Sequence, residues 1–114
     1  MFYIIQNEDQ FAEFKESSVN DVFIYPIHAD SRVYPTLSPV IGVYVYSYYL
    51  SKSFIIVINH PDCTRVAESL VLDWIRSEST IYTMNGKKLL HWIGIDMFYK
   101  VVDLSFHNKE LADI

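Results

Sequence analysis

The side chains that could handle a metal or a proton are few and scattered. Among 114 residues there are fourteen Asp and Glu and four His. His28 stands two residues before Asp30, and His60 and Asp62 flank Pro61. Hard divalent cations take oxygen ligands, so a rearranged acid set for magnesium could be drawn from Asp30, Asp62, Asp73 and Asp103. His28 suits a transition metal better than magnesium, and His60 is a candidate ligand or base. Simpler readings compete. Asp30 reads as a solvated loop acid, and Asp62 as the N-cap of a helix with His60 in the turn before it. His91 reads as a packed or surface residue in mid-helix, and His107 as a loop residue. Cys63 is the only cysteine, so no internal disulfide forms and no cysteine-based zinc site closes. No Ser/His/Asp spacing, nucleophile elbow, P-loop or dinucleotide fingerprint is present. Three glycines, Gly42, Gly86 and Gly94, are too few and too dispersed for a phosphate-cradling loop.

Cations and rings supply the other candidates. Lys87 and Lys88 fall in the first turn of a predicted helix, where the helix dipole disfavours positive charge. Contact with a phosphate or an acidic partner would explain them, and so would a solvated helix start. Tyr44, Tyr46, Tyr48 and Tyr49 could stack bases. They suit a protein interface better, because each ring brings area and a polar tip. The net charge of −5 has the wrong sign for a dedicated nucleic-acid binder, which leaves room for a weak DNA contact only. No basic leader and no run of about 18 apolar residues is visible, so no membrane span and a cytoplasmic setting are expected.

Hydrophobic residues make up 51% of the chain, enough for the core of one domain. The element that fixes the architecture is Phe54–Asn59 (FIIVIN). This continuous apolar run suits a strand buried on both faces at the centre of an α/β sheet. Phe2–Gln6 reads as a strand. Asn7 and Gln10 open a short helix as a capping box, with Phe11 and Phe14 inward. Val22–Ile27 is a strand that must end or bulge at Pro26. Val40–Leu50 is a long strand, with Val43, Val45 and Ser47 on one face and Tyr44, Tyr46 and Tyr48 on the other. It forms a hairpin with FIIVIN through Ser51–Ser53. A helix follows NHPD and runs to about Ser77, with Val66, Leu70, Val71, Trp74 and Ile75 on one face. Ile81–Met84 is a strand, Gly86–Ile93 a helix closed by Gly94, and Lys100–Phe106 a last strand. A hairpin meander followed by two strand–helix units is the order of a ribonuclease H-like core, with a generic α+β domain as competitor.

In this order the segments FYIIQNEDQFAEFKESS, DVFIYPIHADS, VIGVYVYSYYLSKSFIIVINHPD, LVLDWIRSESTIYTMNGKKLLHWI and VVDLSFHNKEL resemble the N-terminal half of the 3′–5′ exonuclease domain of family A (Pol I-like) DNA polymerases. The resemblance implies an α/β, ribonuclease H-like mixed sheet with flanking helices. It also implies a chemistry in which two divalent metals clamp the attacking water and the leaving oxygen. The family's first motif is Asp-x-Glu, and those positions match Pro26 and His28, with Ile27 between them. Its second is Asn-x-x-x-Asp. Asn85 matches the Asn, and Leu89 stands where the Asp would be. The third motif would lie beyond Ile114. Asp103 matches a family Asp outside the metal set and is given a structural role.

The resemblance therefore leads to one domain over residues 1–114, truncated at its C-terminus, with the metal carboxylates lost and no catalytic or metal-binding residues. The expected role is a structural or docking part of a DNA polymerase, such as an excised segment of a phage-like enzyme. No cofactor is expected, and magnesium only if a displaced acid set retains activity. The expected partners are the remainder of a polymerase or another replication protein, with a homo-oligomer as a further way to cover the sheet. The alternative is a small autonomous module that engages a protein through its tyrosine strand and the FIIVIN edge.

Overall fold

The computed structural model describes residues 2–17, 21–29, 39–60, 64–78 and 80–105. One six-stranded mixed sheet organises the chain. Its strands are β1 (Phe2–Ile5), β2 (Val22–His28), β3 (Val40–Ser47), β4 (Lys52–Val57), β5 (Ile81–Thr83) and β6 (Val101–Asp103). Their order across the sheet is β1-β4-β3-β2-β5-β6. The β2/β3 and β3/β4 pairs are antiparallel, and β1/β4, β2/β5 and β5/β6 are parallel. Helices α1 (Glu8–Ser17), α2 (Glu68–Ser77) and α3 (Gly86–Ile93) make the crossovers, and a 3₁₀ segment, Ile95–Lys100, leads into β6.

The strands have two unlike faces. Register aligns Val22 with Ser47, Ile24 with Val45 and Pro26 with Val43, then Val45 with Phe54 and Val43 with Ile56. These residues are buried. Phe11 and Phe14 of α1, Val71, Trp74 and Ile75 of α2, and Leu89 and Ile93 of α3 complete the same core. The opposite face carries Phe23, Tyr25, Ile27, Tyr44, Tyr46, Ile55 and Tyr82, all half-buried. Every fully buried strand side chain thus lies on the helix-covered face, and all three helices pack there.

Several expectations hold. Asn7 Oδ1 accepts from the Gln10 amide at 2.8 Å, while Gln10 Oε1 accepts from the Gln6 amide at 2.8 Å, a reciprocal cap of α1. Gly94 closes α3 by donating its amide to the Leu90 carbonyl at 2.9 Å. Its φ is +113°, and a Cβ there would stand 2.6 Å from Asp96 Oδ1 and 2.8 Å from an Arg76 guanidinium nitrogen. Only glycine fits that corner, where Arg76 pairs with Asp96 at 2.6 Å.

Others need correction. FIIVIN is not buried on both faces: Phe54, Ile56 and Ile58 are buried, while Ile55 and Val57 are half-buried. Nor is it central or a free edge, because β1 lies along it in parallel; β2 is more central. Strand β2 runs on past Pro26 to His28, with its bulge between Ile27 and His28. Pairing with β5 covers only Val22 and Phe23, so Pro26 lies where β2 has lost that neighbour and a missing donor is tolerated. Strand β3 stops at Ser47, and the turn spans Tyr48–Ser51. Ser47 holds it, with its carbonyl accepting from Ser51 at 2.8 Å and its hydroxyl from Leu50 at 3.2 Å. Helix α2 starts at Glu68, not after NHPD. The Val66 amide donates to the Val57 carbonyl at 2.8 Å, which keeps that segment extended, and Ala67 rather than Asp62 precedes the first turn. Leu70 is exposed. The last strand is only Val101–Asp103, since Lys100 ends the 3₁₀ turn.

Candidate functional site at the carboxyl ends of the central strands

In an open α/β sheet, ligands bind outside the carboxyl ends of the strands where the connections part in opposite directions. Here that point is β2. The chain leaves it toward β3 on one side, and the parallel strand β5 flanks it on the other. Four of the residues singled out in the sequence converge there: Pro26 and His28 at the end of β2, and Asn85 and Lys88 at the start of α3.

Their environments differ. His28 is only 9% exposed, and its Nδ1 is buried with no hydrogen-bond partner among the described residues. Burial first, then the positive charge of Lys88 and of His91, push its protonation below the usual imidazole range. Asn85 caps α3, its Oδ1 accepting from the Lys88 amide at 3.1 Å. Lys88 lays its Nζ 4.9 Å above the Tyr25 ring and donates to the Tyr25 hydroxyl at 3.4 Å. Lys87 is exposed. Leu89 points the other way, into the core, and is fully buried. Thr83 at the end of β5 is also buried, with its hydroxyl unpartnered among the described residues.

Asp103 closes the far side of the site. Its Oδ2 accepts from the Gly86 amide at 2.9 Å, and its Oδ1 from the Ser105 amide at 3.0 Å and from the Ser105 hydroxyl. The carboxylate ties the first amide of α3 to β6, which fits the structural role assigned to it. A Cβ at Gly86 would lie 3.1 Å from that carboxylate, so glycine lets the two meet. Asp103→Ala is expected to cost about 2 kcal/mol in chemical denaturation, since it removes charge-assisted bonds from a part-buried group. Asp103→Asn should lose less, because it keeps an acceptor. A cleft of about 380 Å³ runs beside this contact, lined by Gly86, Lys87, Leu90, His91, Ile95, Val101 and Asp103.

The tyrosines are not all on one strand face. Tyr44 and Tyr46 are half-buried on β3, whereas Tyr48 lies exposed in the turn. Tyr48 still joins them through ring contacts, 5.2 Å from Tyr46 and 5.4 Å from Tyr82. Phe23 meets Tyr44 edge-on at 6.0 Å, and the Tyr44 hydroxyl lies 3.0 Å from that of Ser53. Phe23 and Tyr82 were missed in the sequence, although their strand alternation marks them as belonging to this face. Asp30, Asp62, Cys63 and His107 lie outside the described residues. Among the described residues, no group of three or more His, Cys, Asp and Glu could hold a metal ion. None of the helices described is long and apolar enough to cross a membrane.

No protein-family model matches the chain, and no curated protein matches it. Two solved structures do. The Aedes aegypti Nibbler EXO domain superposes with a TM-score of 0.68 at 7% identity, over 97% of this chain and 56% of that one. Escherichia coli RNase D, an exoribonuclease involved in structured RNA processing, gives 0.63 at 14% identity, over 90% of this chain and 27% of that one. The fold is therefore α/β and exonuclease-like, a ribonuclease H-like mixed sheet with flanking helices. The chain spans just over half of the first neighbour and about a quarter of the second.

Proposed function

We propose that this chain is an exonuclease-like domain that does not hydrolyse nucleic acid and instead has a structural or docking role in a DNA polymerase or related replication assembly. The observation that carries the reading is Leu89. The resemblance to the polymerase exonucleases calls for an Asp at this position, yet the side chain is fully buried in the core cluster. A carboxylate could not reach a metal from there. Pro26 and His28 replace the other two acids, and a two-metal clamp needs oxygen ligands. The polymerase context rests on the sequence resemblance. The two structural neighbours bear names of exonucleases, and RNase D acts on RNA.

The half-buried ring face of Phe23, Tyr44, Tyr46 and Tyr82, on the side of the sheet away from the three described helices, is the docking surface in this reading, because aromatic rings with polar tips suit protein interfaces. It supports the second reading equally, a small autonomous protein-binding module. Isolation of a stable complex containing no replication component would favour that module.

The test is a nuclease assay on single-stranded DNA and RNA, with magnesium and then manganese, protein in excess over substrate. No cleavage is expected. Metal-dependent cleavage abolished by Asp30→Ala would overturn the proposal and assign the metal to a displaced acid.

A further inference from the structure

Among the described residues, three of the four most exposed large apolar side chains belong to one short segment. They are Ile95, Phe98 and Tyr99, in the 3₁₀ turn before β6, exposed by 80%, 67% and 69%. Residues three apart eclipse in a 3₁₀ turn, so Ile95 and Phe98 stand on one side of it. The Phe98 ring meets that of Tyr99 edge-on at 6.3 Å. Ile95 also lines the cleft of about 380 Å³, together with Leu90 and Val101. The three side chains and the cleft thus form one apolar patch, with protruding rings beside a hollow.

The turn that presents this patch is fixed from behind. Met97 is buried in the core, and Asp96 pairs with Arg76 at 2.6 Å. Arg76 also donates to the Ile93 carbonyl at 2.7 Å, and Lys100 to the Arg76 carbonyl at 3.0 Å. Single exposed apolar residues are ordinary, but a contiguous patch marks an interaction site. A patch on a fixed scaffold also leaves little to be ordered on binding.

We propose that this patch is the interface of a two-fold dimer of the chain, with an aromatic ring of each copy set against the cleft of the other. A two-fold interface must be self-complementary, and this surface carries both a protrusion and a hollow. Its charge points to the same occupant. Residues 86–103 hold three lysines against two aspartates, in a chain whose net charge is −5. Two such copies repel through their bulk charge, and this segment adds nothing to the repulsion. Strand β6 is also the outermost of the sheet, so among the described residues no further strand covers this edge. An aromatic side chain offers about 150–250 Å², so two rings at this exposure and Ile95 offer on the order of 400 Å² per copy. Doubled, and with the cleft lining added, the area approaches the lower limit of about 1,200 Å² for a specific interface. The dimer is therefore a weak one.

The experiment is sedimentation equilibrium of the full chain at rising concentration. A reversible monomer–dimer equilibrium is expected, with a dissociation constant of about 1–100 μM. Phe98→Glu should weaken it about thirtyfold, the effect of losing a central aromatic anchor. Ile95→Lys should weaken it as well, from the other end of the patch. Both side chains lie outside the core, so circular dichroism melts of the two variants should stay near the parent's. Tyr49→Glu, equally exposed but in the turn after β3, should dimerise as the parent does. A chain that stays monomeric to about 1 mM, a dimer that Phe98→Glu leaves intact or Tyr49→Glu dissolves, or an assembly that grows beyond two copies would each overturn the proposal. None of these readouts involves cleavage of nucleic acid, so the outcome is independent of the nuclease assay.

Discussion

Leu89→Asp, the substitution that would place a carboxylate where the sequence resemblance to the polymerase exonucleases puts one, is expected to unfold the protein at neutral pH rather than create a metal ligand. Leu89 is fully buried on the core side of α3. Deleting such a side chain alone costs about 2–5 kcal/mol. Placing an unpaired carboxyl among apolar neighbours adds several kcal/mol more, or holds the group protonated. Domains of this size have about 5–15 kcal/mol of stability in total. The introduced carboxyl would have a folded-state affinity for protons above its unfolded one. Its variant is therefore least destabilised below the ordinary carboxylate range and loses stability as pH rises through the raised value. Circular dichroism melts at pH 4 and pH 7 would show this. A cooperative melt near the parent's at pH 7, with manganese raising it further, would show instead that position 89 faces a ligand site.

Trp74→Ala is expected to cost about 3–5 kcal/mol, the range for deleting a buried aromatic side chain. Trp74 is 6% exposed and joins three elements. Its ring stands 5.0 Å from Phe14 and 6.1 Å from Phe11 of α1, both edge-on. Phe14 in turn lies 4.7 Å from Phe54 of β4. Edge-on pairs add about 0.5–1.5 kcal/mol beyond the area they bury. Trp74→Ala and Phe14→Ala should therefore be non-additive in a double-mutant cycle, since each removes the same contact. Tyr49→Ala, with its ring 72% exposed in the turn, should change stability by less than about 0.5 kcal/mol. A loss below about 1 kcal/mol for Trp74→Ala would mean that α1 and α2 are not held through this cluster. The measurement is urea denaturation of the three single variants and the Trp74→Ala/Phe14→Ala double variant beside the parent.

The local chemistry of the chain was legible residue by residue. Alternation located β3, and the three-residue spacing of Phe11 and Phe14 located α1. Asn7 and Gly94 marked helix ends, because caps act within a few residues and depend little on the rest of the fold. The order of elements led to the ribonuclease H-like sheet for the same reason: it is a pattern along the chain. What the tertiary structure alone decided was who lies beside whom. The FIIVIN strand sits next to β1, so neither its apolar run nor its length reveals its place in the sheet. The late start of α2 depends on a hydrogen bond from Val66 to Val57, nine residues earlier on another element. The candidate site was half-legible. Pro26, His28, Asn85 and Leu89 were marked by motif position. The direction of each side chain came from packing: Leu89 turns into the core while Lys88, one residue earlier, turns toward Tyr25. A helix rotates about 100° per residue, so neighbours in sequence face different worlds, and only the docking of α3 on the sheet determines which.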